Sequence, residues 1–223
     1  MKSDAREEAA KLVIAVVADL LKLVTIDAGR AGSMVRLAAG DLIADAEQLI
    51  EDAAIAAPLA NLFNLVRGAG ATVEQLDLVR KHTVAVVPVY KATLSVQNTA
   101  IRLALVQCAR ILAATTMTSR NAVDRYLDRM NAAFDQAETV AADSLDQASY
   151  RSIIALHAAV TFDLTTRARP LPQIVVYDFA LSKPALWIAQ RLYADATRCG
   201  ELVDENAPVH PAFVQMPVRA LSQ

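Results

Sequence analysis

Leu94, Ile101, Cys108 and Thr115 recur every seven residues, with Leu105 and Leu112 between them. A seam of that period marks a helix that buries one stripe against a neighbouring helix. The helical pattern opens at Thr72-Val73-Glu74-Gln75, where the Thr and Gln side chains are spaced to serve each other's backbone donors in a capping box. From there to Thr115 only Pro88 intervenes, and it must kink the span or divide it. An unbroken rod of that length would reach about 65 Å. A compact globule of this size has a radius of gyration near 17 Å, so the expectation is an elongated helical bundle or one braced against neighbours.

Composition widens the helical reading to most of the chain. Of 223 residues 44 are Ala, 6 are Gly and 5% are aromatic, a mixture that favours helices over sandwiches and barrels. With 55% hydrophobic residues and 21% charged, the chain can build a core and is not of the disordered class. The net charge of −2 gives no electrostatic footprint for nucleic acid, and the apolar runs Leu12 to Ala18 and Ala53 to Ala60 are too short to span a membrane. Acids at Asp4, Glu7 and Glu8 beside Lys2 and Arg6 argue against a secretory signal. Cys108 and Cys199 lie far apart without a CxxC motif and are expected to be reduced, partly buried thiols.

Residues 4–24 predict a first helix capped by Ser3 or Asp4, with Leu12, Val16, Leu20 and Leu23 in helical register. Gly29, Gly32 and Gly40 mark residues 25–41 as a turn or a loosely helical connection. A second helical stretch runs from Asp41 to about Ile55, interrupted or kinked by Pro58, and Gly68-Ala69-Gly70 breaks the chain. After a loop at 115–119, with Ser119 as a cap, Val123, Tyr126, Leu127, Met130, Phe134, Ala137 and Val140 form an amphipathic stripe. Tyr150, Ile153, Ile154, His157, Val160 and Leu164 make the facing stripe of the next helix, so the two should pair as a hairpin.

At Arg169-Pro170-Leu171-Pro172 the character changes. Residues 173–179 read as a strand, a short helix follows Pro184, a second runs from about Thr197 to Asn206, and the tail to Leu221 returns as a strand. The expected organisation is a helical region at 1–70, an antiparallel helical body at 71–169 and a β-α-α-β module at 170–223.

Catalytic signatures are missing: the sequence has no G-x-S-x-G, H-E-x-x-H, EF-hand or Walker motif. His82, His157 and His210 are scattered, so no metal, cofactor or enzymatic role is expected, and His157 reads as a packed, hydrogen-bonded histidine. Asp124, Arg125, Asp128 and Arg129 read as helix-surface ion pairs, and Glu201, Asp204 and Glu205 as a solvated face.

The run Pro184-Ala185-Leu186, Leu192-Tyr193-Ala194-Asp195-Ala196-Thr197-Arg198, Asn206 and His210-Pro211-Ala212-Phe213-Val214 resembles the C-terminus of Mu-type phage DNA-circularisation proteins, regarded as tail or baseplate hub components. Ser119 to Asp124 and Asp163 to Pro172 extend the resemblance over roughly residues 115–221. The family's β-rich N-terminal domain has no counterpart in residues 1–70, and its Pro-Gly-Gly turn is replaced by Gln215-Met216-Pro217. The C-terminal end is similar, more distantly, to LysM modules.

What the resemblance implies is a structural virion protein of the phage tail, assembled in the host cytoplasm. Its partners would be other tail or baseplate proteins (hub, spike, tube or wedge), with further copies of itself in a homo-oligomer or ring. Tyr177, Trp187, Tyr193, Asn206, His210, Pro211 and Phe213 are the candidate docking residues. Packing is the competing reading for Trp187, Leu192, Tyr193 and Phe213, and a turn role for His210-Pro211. The alternatives are a peptidoglycan-binding LysM-type module, with Tyr177, Trp187 and Asn206 facing a glycan, and a DNA-end binding protein, which the charge disfavours.

Overall fold

A computed structural model describes residues 3–24 and 29–222. It is mainly helical, with a two-stranded antiparallel sheet near the C-terminus, as the composition and the β-branched run at 174–177 lead one to expect. The helices are α1 (Ser3–Leu23), α2 (Arg30–Ala44), α3 (Ala46–Glu51), α4 (Ala56–Gly68), α5 (Val73–Ala85), α6 (Lys91–Ala114), α7 (Arg120–Asp143), α8 (Gln147–Ala168), α9 (Ala185–Tyr193) and α10 (Cys199–Asn206); the strands are β1 (Ile174–Tyr177) and β2 (Val218–Leu221). No helix among the described residues is long and apolar enough to cross a membrane.

Two compact units divide the chain: residues 1–115 with 130–160, and residues 116–129 with 161–223. These differ from the boundaries expected at 70 and 169. Residues 1–70 do not stand apart because α4 packs on α6, and α1 packs on both α5 and α6.

In the first unit the heptad seam holds at its centre. Ile101, Leu105, Cys108 and Leu112 of α6 are buried together with Val96, Ala100 and Ala104, in a helix that packs on α1, α4 and α5, whereas Leu94 is half-buried and Thr115 lies past the helix end. Pro88 divides the span instead of kinking it: α5 ends at Ala85, α6 begins at Lys91, and the two pack on each other. The continuous 65 Å rod is therefore not formed, which removes that argument for elongation. The Thr72–Gln75 capping box is present, Thr72 Oγ1 accepting from Gln75 N at 3.3 Å and Gln75 Oε1 from Thr72 N at 2.9 Å.

Polar side chains, buried at Gln97 and half-buried at Glu8, close the backbone ends that propensity leaves open. Gln97 donates to the Thr83 and Val86 carbonyls at the end of α5. Glu8 on α1 accepts from Val89 N, Tyr90 N and Thr93 Oγ1, at 2.9, 3.1 and 2.6 Å, and so caps α6, whose own N-cap residue Tyr90 makes no side-chain cap bond. The Thr93 hydroxyl and the Val89 amide hold the Glu8 carboxyl below its ordinary value. Asp77 and Arg80, both buried, pair at 2.8 Å, and Arg80 also donates to Gln136 of α7.

Several helix boundaries differ from the sequence expectation. Gly32 and Gly40 lie inside α2, where Gly32, Val35, Ala39 and Leu42 are buried; residues 25–28 of the expected connection lie outside the described residues. Ser3 and Asp4 stand within the first turn of α1, and the position before it lies outside the described residues. Pro58 sits in the first turn of α4, where its missing N–H has no helical acceptor to lose. Ala53, Leu145, Ala194 and Ala207 adopt positive φ just past α3, α7, α9 and α10, the positions where glycine is usual. Neither cysteine is in a disulfide; Cys108 is buried and Cys199 half-buried.

α7 and α8 form the expected hairpin. Ser119 caps α7 by accepting from Ala122 N at 3.3 Å, and Asp146 caps α8 by accepting from Ser149 N at 3.1 Å. In the second unit the start of α7 holds the proline-rich turn: Arg120 N donates to Pro172 O at 2.9 Å, and Asn121 Oδ1 accepts from Ile174 N at 2.8 Å. β1 then pairs with β2 in the register Ile174–Leu221 to Tyr177–Val218, enclosing α9 and α10 as a β-α-α-β module.

Candidate functional site

The C-terminal module has its own small core of Ala185, Ile188, Ala189, Tyr193, Leu202, Val214, Val218 and Ala220. α9 is amphipathic, turning Ala185, Ile188 and Ala189 inward and leaving Leu186 and Trp187 outward. Its first free N–H, on Ala185, donates to Pro211 O at 2.8 Å, so Pro184 serves as N-cap position and the 209–214 loop supplies the missing acceptor. A Lys183–Val214 bridge and a Ser182 hydroxyl bonded to Val214 O at 2.8 Å fasten the same loop to the segment before α9.

The seven candidate docking residues separate into two groups. Tyr193 is 9% exposed and its hydroxyl accepts from Leu221 N at 2.9 Å, while the Arg198 guanidinium lies 3.9 Å from its ring centroid. Burial, the largest influence, raises the phenol above its ordinary value. Asn206 donates to Leu202 O and Arg219 O and accepts from Arg219 N at 2.8 Å, so its amide is consumed in clamping α10 to β2. Tyr177 is half-buried against the core. These three hold the module together.

Trp187 and Phe213 behave differently. They remain 44% and 68% exposed, beside Leu186 at 60%. Phe179 meets the Trp187 ring edge-on at 5.8 Å and Lys183 Nζ sits 5.4 Å from its centroid, which steadies the indole without covering it. His210 is a turn element, its Nδ1 accepting from Ala212 N at 3.1 Å, and Pro211 lends its carbonyl to α9. Ser182, Val209, His210, Phe213, Gln215 and Met216 line a shallow depression between the β1–α9 and α10–β2 loops. Packing therefore explains Tyr193 and leaves Trp187 and Phe213 with exposed apolar surface of the kind that marks contact sites.

The acids near this module are tied to arginines. Glu201 pairs with Arg198 at 2.7 Å and Glu205 with Arg219 at 2.9 Å, with Asp204 exposed. Such pairs brace the helix and offer no two carboxylates across a cleft.

A second constellation, in the first unit, escaped the sequence reading. His157 of α8 stacks on Phe134 of α7 at 4.8 Å, with Nδ1 2.8 Å from Glu138 Oε1 and Nε2 2.9 Å from Asn131 Oδ1. It is the packed, hydrogen-bonded histidine that its apolar face predicts. The Asp135 carboxylate joins it, so that ligand atoms of Asp135, Glu138 and His157 all lie within 4.8 Å of one another. The i, i+3 spacing of the two acids was visible in the sequence. The register that sets His157 opposite them follows from the hairpin turn at 144–146. Compared with known proteins, the chain matches no family model and no curated sequence.

Proposed function

We propose that the protein is a non-enzymatic structural component of a bacteriophage tail, at the baseplate hub, whose C-terminal module docks on a neighbouring tail protein. The observation that carries the docking role is that Trp187 and Phe213 stay exposed on a module that already has a core. The tail assignment rests on the resemblance over residues 115–221. Large aromatic side chains on a rigid support are the usual anchors of protein interfaces, since they bury much area at little entropic cost.

The test is size-exclusion chromatography with light scattering on the purified protein, alone and mixed with recombinant hub, tube and spike proteins from the same tail. The expected result is a stable complex with at least one of them, weakened tenfold or more when Trp187 and Phe213 are both changed to Ser. A monomer that joins no tail component would overturn the reading.

A glycan-binding reading has in its favour the shallow depression beside Phe213, lined also by Ser182, His210 and Gln215. It loses Asn206, whose amide is fully engaged, and Tyr177, which is half-buried. Retention on purified cell walls, abolished by Trp187→Ala, would restore it in place of the tail partner.

A further inference from the structure

We infer that Asp135, Glu138 and His157 form a zinc-type divalent metal site that clasps α7 to α8. The proposal is independent of the tail reading. Its starting point is the imidazole, which is held more firmly than a surface histidine: the Phe134 ring lies against it at an interplanar angle of 15°. Asn131 Oδ1 lies 2.9 Å from Nε2 and accepts from it when that nitrogen carries the N–H. Nδ1 then presents its lone pair to Glu138, with Nδ1 and Oε1 2.8 Å apart. Two facing lone pairs repel unless a cation lies between them, and a divalent ion drawn to that edge, with Asp135 close by, would satisfy both.

Metal-binding histidines commonly donate their distal N–H to a fixed oxygen, the position that Asn131 Oδ1 holds here. Asp135 is exposed and both the His157 and Glu138 side chains are about one-fifth exposed, so the ion has a path in and open positions for water. One imidazole nitrogen with two carboxylates is a borderline donor set: Mg²⁺ and Ca²⁺ prefer all-oxygen sites, and zinc accepts mixed nitrogen and oxygen ligands. With bonds of about 2.0–2.2 Å, tetrahedral ligand atoms stand about 3.3 Å apart. From present separations of at most 4.8 Å, reaching that spacing needs Glu138 to draw back from Nδ1 and the three groups to converge. A bound ion would add a cross-link between residues 135–138 and 157.

Isothermal titration of the chelator-treated full-length protein with zinc chloride tests the site, with thermal melting in parallel. The expected result is one zinc per chain and a raised Tm. Asp135→Asn, an exposed change that leaves the His157–Glu138 contact in place, should weaken binding at least tenfold. Asn131→Ala should weaken it about 10–100-fold by freeing the ring. His82→Gln, which removes the other histidine paired with an acid (Asp19, 3.0 Å), should leave binding unchanged. Absence of binding at about 0.1 mM zinc, a hundredfold above a micromolar Kd, would overturn the proposal. So would an affinity that Asp135→Asn and Glu138→Gln both leave untouched, or one that disappears in His82→Gln.

Discussion

The helical unit and the C-terminal module differ in what becomes of their aromatic side chains, although both leave some aliphatic ones, such as Leu37 and Leu186, outside. In the first, large side chains such as Phe63, Phe134, Leu59, Leu62 and Leu105 are sealed inside, and even polar groups such as Asp77, Arg80, Gln97 and Gln107 are taken in and satisfied. In the module, alanines make up much of the core while Trp187, Leu186 and Phe213 remain outside. Size explains part of the difference, because a small fold has little interior to offer. It does not explain why Trp187 and Phe213 are left out while Tyr193 is taken in. Three alanines in the core and a tryptophan on the surface is the distribution on which the docking proposal rests.

The largest effect that would break the comparison is expected in the helical unit. Phe63→Ala should cost about 3–5 kcal/mol, because a fully buried ring leaves a cavity that surrounding helices fill only in part; chemical denaturation measures it. In the module the corresponding weak point is polar. Asn206→Ala should cost about 0.5–1.5 kcal/mol by releasing the Arg219 backbone groups to water, and hydrogen exchange at Arg219 should speed up before exchange in α6 does.

Ala194→Gly should work in the other direction, raising stability by about 1 kcal/mol, since Ala194 ends α9 at φ 55 without the glycine that this conformation favours. Glu8→Gln sharpens the view of how the first unit is tied together. The Glu8 carboxyl sits below its ordinary value of 4.5, so its contribution is present above that value and is lost as the pH falls through the lowered folded-state value. The parent protein should therefore melt higher than Glu8→Gln near neutrality, with the gap closing in acid. The smallest effect is the most telling. Phe213→Ala should change stability by less than about 0.5 kcal/mol, as expected for an exposed residue, while weakening the proposed docking contact. A loss comparable with that of Phe63→Ala would place Phe213 in the core and erase the contrast.

How far the chain could be read depended on whether the signal was local. The capping box at Thr72–Gln75, the cap at Ser119, the α7 stripe and the β-branched strand each rest on neighbours a few residues apart, and each is present; the α8 stripe holds at Ile153, Val160 and Leu164 but leaves Ile154 exposed. Helix ends were harder to read where glycine is a misleading or missing signal. Gly32 and Gly40 fall in an expected turn or loose connection and are helical, and Ala53 falls inside the expected Asp41–Ile55 helix and lies past the end of α3, whereas the ends at Tyr193 and Asn206 stand where expected although alanine follows each. Alanine tolerates the left-handed region at a modest cost that tertiary contacts offset, and no local pattern announces it. The candidate docking residues divided for the same reason. Tyr193 and Trp187 are both aromatic residues of one short helix, and only the packing of β2 and α10 decided which of them turned inward.

Sequence alone determined that this protein is helical, that a seam centred on Ile101 and Cys108 lies in its core, and that a β-α-α-β module follows the prolines at 170 and 172. These follow from periodicity and backbone stereochemistry, which act over a turn or two of chain. Tertiary structure decided that Pro88 folds the long span back on itself, that Glu8 caps a helix more than eighty residues away, and that Asn206 is a clamp while Trp187 is free. It also brought His157 to Asp135 and Glu138. The reason is physical: which face of a helix meets which neighbour depends on the register between elements, and that register is set by the packing of the whole core.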